Sequence, residues 1–202
     1  PCTMAAIKAY KAPSKSIGTG QVLSCAYDYK KTEIILKEMI ESLSMDLFEK
    51  HLVTNKLVLT IGYDIENMKD YRGEIMEDRY GRKLPKHLHG TINLDRYTSS
   101  YKLMCDALLR FYHLHINHAL TIRRIQLNAT QVRSDDIPVT YKQLSLFDEE
   151  KIEVDLSKEK KLQSVTLDIK KKYGKNALLK GTDLQEGATT RERNKMIGGH
   201  NA

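Results

Sequence analysis

The pattern that most constrains this 202-residue chain is a pair of helical apolar stripes, each framed by stretches where apolar and polar residues alternate. Over residues 31–51, Leu36, Ile40, Leu43 and Leu47 recur at helical spacing, widened by Ile35, Met39 and Phe48. A second helix is predicted over 100–116, with Thr98 or Ser99 as N-cap and Met104, Ala107, Leu108, Phe111 and His115 facing inward. A short strand is predicted at 21–25, after a bend at Gly18 and Gly20. Residues 56–63 alternate, with Leu57, Leu59, Ile61 and Tyr63 on one face and Lys56, Val58 and Thr60 on the other. Residues 86–94 and 122–132 alternate likewise, and the polar segment 64–85 reads as a connection between strands. The order is β-α-β-β-α-β. It predicts an α+β fold in which two helices cover one face of a four-stranded sheet.

The other face of that sheet is left polar. It collects Thr60; His87, His89, Thr91 and Asn93 from the third strand; and Arg124, Gln126, Asn128 and Thr130 from the fourth, with Ile125, Leu127 and Ala129 turned inward. A one-faced antiparallel sheet is stable with such a face in water. This one is rich in donors and poor in acids, which suits phosphate and groove contacts. Lys15, Ser16 and Gly18 precede the first strand, where small residues allow close approach of backbone N–H groups. Lys83 and Lys86 flank the third strand, Arg96 follows it, and Arg123 lies beside Arg124 in the fourth.

The net charge of +7 agrees with an anionic partner, nucleic acid before membrane. Two other readings fit the same face: a protein-interaction module for an acidic partner, and a single-strand RNA module. RNA modules of this strand order stack bases on aromatic residues of the central strands. His87, His89, Thr91 and Asn93 offer no Phe or Tyr, so a backbone-tracking role on duplex fits better.

Catalytic chemistry is sparse. Asp64 and Glu66 share their loop with Lys69, Arg72 and Arg79, which reads as a solvated loop, not a two-metal site. His87 with His89, and His115 with His118, lack a third ligand at a convincing spacing. No metal, cofactor or catalytic residue is therefore expected in this chain. Three cysteines (Cys2, Cys25, Cys105) without a CxxC motif suit packing in a reducing, cytoplasmic compartment. No apolar run approaches the length of a membrane span, and from its opening Pro1 the chain is expected to be a piece of something longer.

Beyond residue 134 the texture changes. Residues 135–156 lack periodicity and hold Gln143-Leu144-Ser145-Leu146-Phe147, a short docking peptide between Pro138 and the acidic Asp148-Glu149-Glu150. Ser157 is placed to cap a polar helix reaching Tyr173, with Leu162, Val165 and Ile169 as a narrow stripe and Gly174 as its stop. From Lys175 onward the chain is expected to be mobile unless a partner orders it.

Several blocks together resemble the C-terminal third of Y-family translesion DNA polymerases, in the bacterial UmuC-like (ImpB/MucB/SamB) branch. They are Lys15-Ser16-Ile17-Gly18 with Gly20-Gln21-Val22-Leu23, Leu57 through Asp64, Asp78 through Lys83, Pro85-Lys86-His87 with His89-Gly90-Thr91, and Arg96 through Ser100. The tail adds Tyr173 through Asn176, Glu186 through Asn194, and Ile197 through His200. The resemblance implies that residues 14–134 are the little finger, or polymerase-associated, domain, gripping primer–template duplex through the sheet face. It implies the end of the thumb and a linker at 1–13, a linker at 135–156 and a C-terminal helix and tail at 157–202. Gln143 to Phe147 would dock on a bacterial sliding clamp, with Gln143 in a polar subsite and Leu146 and Phe147 in an apolar pocket. The resemblance also admits an accessory SOS subunit or a recombinase filament as a partner. The magnesium-dependent palm would belong to the parent polymerase, so this segment is expected not to polymerise DNA alone.

Overall fold

The computed structural model describes residues 3, 4, 8, 15–136 and 156–196. In chain order the elements are β1 (Ile17–Tyr27), α1 (Tyr29–Glu49), β2 (Leu52–Tyr63), a 3-10 turn (Ile65–Lys69), β3 (Ile75–Glu77), β4 (Lys83–Pro85), β5 (Leu88–Thr98), α2 (Tyr101–His115), β6 (Ile122–Thr130) and β7 (Arg133–Ser134). Then follow α3 (Ser157–Tyr173), a second 3-10 turn (Gly181–Leu184) and α4 (Thr190–Arg193). The long strands form one antiparallel sheet in the order β1-β6-β2-β5, with β7 added to β2. The fold is α+β, as the alternation of periods predicts.

The two helices that cover the sheet start where a side chain satisfies a backbone donor. Asp28 accepts from Lys31 N at 2.8 Å and opens α1; Ser100 Oγ accepts from Leu103 N at 3.3 Å and opens α2. The cap is thus Ser100, not Thr98 or Ser99, because Thr98 Oγ1 is occupied by Ser100 N at 2.9 Å. From α1, Ile35, Leu36, Met39, Ile40, Leu43 and Leu47 are buried against Leu57, Leu59 and Ile61 of β2 and Ile125, Leu127 and Ala129 of β6. From α2, Met104, Cys105, Leu108 and Tyr112 complete the core. The buried Tyr112 ring stacks on Tyr29 with centroids 5.1 Å apart, and its hydroxyl donates to Tyr29 O at 2.9 Å. His115, expected to face inward, is exposed and stacks on Phe111 at the helix end.

Three further expectations are corrected. Gly18 and Gly20 do not bend the chain; they lie within β1, opposite Asn128 and Gln126. Lacking side chains, they hide the alternation that would have revealed the strand. β5 begins at Leu88 and runs to Thr98, so Lys86 and His87 precede it and Arg96 lies inside it, in a stretch where the pairing with β2 shifts. The segment 64–85 is structured: the 3-10 turn is capped by Asp64, and β3 and β4 pair as a small ribbon.

Gly90 shows how tightly the second helix seats. It is in β5 on the helix side, and a Cβ there would collide with the Phe111 ring. Gly90→Ala is expected to cost about 1–3 kcal/mol by overpacking, read as a lower unfolding midpoint. Gly20→Ala, whose Cβ would come no nearer than 3.8 Å to Ile125 O, should not show this loss. Equal midpoints for the two variants would refute this packing.

The C-terminal segment forms a third layer over α1. Lys170 Nζ lies 3.6 Å from Glu41, Lys171 Nζ 2.9 Å from Glu49 and Lys180 Nζ 3.1 Å from Glu41. Glu38 of α1, only 5% exposed, accepts from Thr189 N, Thr189 Oγ1 and Thr190 N, each at 3.0 Å. Gln21 Nε2 donates to Thr189 Oγ1 at 2.9 Å, and Arg193 Nη1 donates to Gln21 Oε1 at 3.0 Å. The partner that orders residues 175–196 is thus the domain itself.

The α3 helix sits the other way round from the sequence reading. Gln163 is buried, donating to Ser44 Oγ at 3.0 Å and Ser99 O at 3.1 Å, while Leu162 and Val165 are exposed. Its cap position is Leu156, without a side-chain capping bond, and Ser157 is the first helical residue.

Candidate nucleic-acid interface

The sheet register places the outward side chains in rows. Reading across β1-β6-β2-β5, one row is Gly18, Asn128, Val58 and Thr91, and the next is Gly20, Gln126, Thr60 and His89. A third runs Val22, Arg124 and Gly62, and a fourth Thr130, Lys56 and Asn93. Neighbouring strands are about 4.8 Å apart, and successive outward residues on one strand about 6.7 Å. These rows contain no carboxylate and no Phe, Tyr or Trp; the ring they hold is the imidazole of His89. The two central strands, β6 and β2, present Arg124, Gln126, Asn128, Thr130, Lys56, Val58, Thr60 and Gly62, so the stacking platform of an RNA module is absent where it would have to be.

Local chemistry sets the orientation of several of these groups. Thr60 Oγ1 and His89 Nδ1 are 2.8 Å apart, a cross-strand pair on the exposed side of the sheet. Gly18 is needed because a Cβ there would collide with Asn128 Oδ1; the glycine lets the Asn128 amide lie over β1. Gly62 stands opposite Arg124, where a Cβ would come within 3.4 Å of Arg124 Cβ. The guanidinium of Arg124 therefore rises from a low part of the face and is exposed.

Of the residues singled out from sequence, Gly18, Thr60, His89, Thr91, Arg124, Gln126 and Asn128 share this surface. Lys15 and Ser16 are exposed just before β1, and the Lys15 carbonyl accepts from Val132 N at 3.2 Å. The remainder lie elsewhere or are engaged. Lys83 is exposed on β4 of the ribbon, and Arg96 is exposed in the irregular part of β5. Lys86 pairs with Glu74 at 2.5 Å, and this hydrogen bond raises its pKa. Arg123 is half-buried, with Nε 3.9 Å from Asp64 Oδ2. Asp64 is buried as well; it accepts from Glu66 N at 2.9 Å, a capping role. His87 Nδ1 lies 2.8 Å from Met76 Sδ, and its ring meets His89 edge-on at 6.1 Å. Burial first, then His89 and Lys86, lowers the His87 pKa, so the ring is neutral at physiological pH.

Sequence reasoning placed Lys56, Asn93 and Thr130 on the face without counting them as contacts. The signal was there: the period that puts Thr60 outward puts Lys56 outward four residues earlier. Cys25, expected to pack, is exposed at the end of β1, while Cys105 is buried. Gln143 to Phe147 lie outside the described residues. Among the described residues no helix is long and apolar enough to cross a membrane.

No protein-family model and no curated protein matches the chain. Solved structures with a partly similar course include a complex of the beta-clamp processivity factor and the little finger domain of PolIV. That match has 10% identity and a TM-score of 0.39, and covers 66% of this chain and 99% of the other. A post-insertion binary complex and an insertion ternary complex of Dbh DNA polymerase match at 14% identity with TM-scores of 0.37. They cover 64% of this chain and 34% and 33% of theirs. The chain spans about a third of the length of the Dbh polymerase chains.

Proposed function

We propose that residues 14–134 are the duplex-holding little finger domain of a bacterial error-prone, SOS-type translesion DNA polymerase of the UmuC-like branch, with residues 1–13 and 135–156 as linkers. The observation that carries this reading is the set of rows across β1, β6, β2 and β5: Lys56, Arg124, Gln126, Asn128, Thr60, His89, Thr91, Asn93 and Thr130 set among valines and glycines, with no carboxylate and no Phe, Tyr or Trp in the rows. Such a surface gains affinity from phosphates and is indifferent to base sequence, which a polymerase moving along a template needs. Of the sequence blocks that resemble the family, those before residue 134 fall on β1, β2, the ribbon and β5, the elements that build or border this face. Synthesis, with its magnesium ions, belongs to the palm of the parent protein; this segment holds the product duplex.

The test is fluorescence anisotropy of a primer–template with the full chain across a salt series. Binding that weakens steadily with salt, and that tolerates exchange of the base sequence, is expected. Salt-independent binding, or none, refutes the reading and leaves the module for an acidic protein partner.

The peptide Gln143 to Phe147 is proposed as the sliding-clamp tether. Leu146 and Phe147 supply about 3–6 kcal/mol before ordering costs, which alone gives weak binding. Attachment to the same DNA as the clamp raises the effective concentration and makes weak binding sufficient. Leu146→Ala with Phe147→Ala should abolish co-elution with a bacterial sliding clamp and leave duplex affinity unchanged. Retained co-elution would remove the tether from the model of function.

A further inference from the structure

Helix α3 docks through polar contacts and turns its apolar stripe outward. Glu159 accepts from Ser100 Oγ at 2.6 Å and Lys102 N at 3.1 Å, one turn before the buried Gln163. Together with the Lys170 and Lys171 ion pairs, these contacts fix the rotation of the helix about its axis. In that rotation Leu162 is 66% exposed, Val165 55% and Tyr173 67%, with Ile169 half-buried between them. At about 100° per residue the four side chains fall within about 80° of arc, a continuous seam along the helix. A rotation that buried the seam would bring apolar area out of water but would break the hydrogen bonds of Glu159 and Gln163. The fold keeps the bonds, so the seam stays available.

We propose that this seam is a docking site for an acidic amphipathic helix of a protein partner. The charge beside the seam selects the partner's sign. Lys158 and Lys161 are exposed along it, and Lys172 Nζ sits 5.2 Å from the Tyr173 ring centroid; Asp168 is the one acid among them. The seam's intervals of three, four and four residues match those by which paired helices interlock, and flanking lysines favour glutamates across the pair. A second copy of this chain is a poor occupant, since each carries +7 and the acidic side chains of its α1 already meet its own tail. Duplex DNA offers the seam no apolar surface, and a bilayer would take in only one edge of a helix whose opposite side is pinned to the domain. The seam lies on the helix layer, so its occupant and a duplex on the open sheet face do not compete.

The test uses the full chain and a fluorescent three-heptad peptide with leucine at the seam positions and glutamate at the flanking positions. The chain is expected to bind it with an affinity that falls with salt, and to ignore the same peptide with lysine at the flanks. Leu162→Ser with Val165→Ser should weaken binding at least about tenfold. Because both side chains are exposed, the unfolding midpoint should stay where it was. No binding of the acidic peptide, equal binding of the lysine peptide, or undiminished binding by the double variant overturns the proposal. So does loss, in that variant, of binding to phosphatidylserine vesicles or to duplex DNA with no peptide binding in the parent chain, which would assign the seam to those surfaces.

Discussion

Glu38→Ala is expected to unfasten residues 181–193 from the domain while the sheet and the two helices that cover it stay folded. The Glu38 carboxylate is buried and accepts from two backbone N–H groups and one hydroxyl of Thr189 and Thr190. Hydrogen bonds to a charged acceptor are worth about 1.5–3 kcal/mol each, so the two backbone donors alone represent roughly 3–6 kcal/mol of docking. A buried donor left without an acceptor is worse than a solvated one, so the segment containing Thr189 and Thr190 leaves for water. The loss is thereby capped at the docking free energy and does not spread into the core. Amide hydrogen exchange should accelerate more than 100-fold across 181–193, with α3 following to a lesser extent because Gln163 and Glu159 still hold it. Exchange in β2 and β6 should stay slow. Trypsin offers a second readout, since cleavage at Arg191 and Arg193 should quicken once their segment no longer rests on α1. Unchanged protection at Thr189 and Thr190 would mean that Glu38 does not anchor the segment. Glu38→Gln, which keeps an acceptor oxygen but turns an NH2 group toward the donors, should lie between the two.

The anchor also shows where sequence reading stopped. Alternation of apolar and polar residues was legible in β2 and β6 because both strands carry full-sized side chains on both faces; their core and open faces were read residue by residue. It failed in β1, where Gly18 and Gly20 stand at outward positions and leave a gap in the pattern. Gly18 answers to Asn128, more than a hundred residues away, a constraint without any local signature. For α3, the stripe Leu162–Val165–Ile169 predicted the buried face, and the opposite occurred. Gln163, Ser44 and the Ser99 carbonyl form a hydrogen-bonded cluster that outweighs a seam of only a few apolar side chains, and no periodicity announces such a cluster. Composition reads the tail as mobile, but polar groups at matched positions hold it: Glu38, Glu41 and Glu49 on α1 meet Lys170 and Lys171 of α3, Lys180, and Thr189 and Thr190 at the start of α4. Around the open face, the sequence reading gives equal standing to Lys83, Lys86, Arg96, Arg123 and Arg124 and passes over Lys56. Side-chain geometry separates them, because Lys86 and Arg123 have carboxylate neighbours and Arg124 rises opposite a glycine.

That separation yields a sharp expectation for the proposed duplex grip. Lys56→Glu with Arg124→Glu should reduce affinity for a primer–template about 100-fold at moderate salt, taking roughly a factor of ten, or 1.4 kcal/mol, for each reversal. Replacing the same pair with glutamine isolates the lost attractions: the slope of log affinity against log salt should become shallower by about 2, close to 0.9 per phosphate contact. Lys86→Glu should do much less, because Glu74 already holds that ammonium and the pair is near neutral before any change is made. The comparison matters more than either number, since general loss of positive charge would penalise all three positions alike. If Lys86→Glu weakens binding as much as Arg124→Glu, the duplex runs over the ribbon and not along the rows of β6 and β2, and the interface must be redrawn there. If the double glutamate variant binds as tightly as the parent chain, the open face faces water alone. Neither result can be blamed on misfolding, because Lys56 and Arg124 project from the uncovered side of the sheet, and the core beneath them is built from Leu57, Leu59, Ile125 and Leu127.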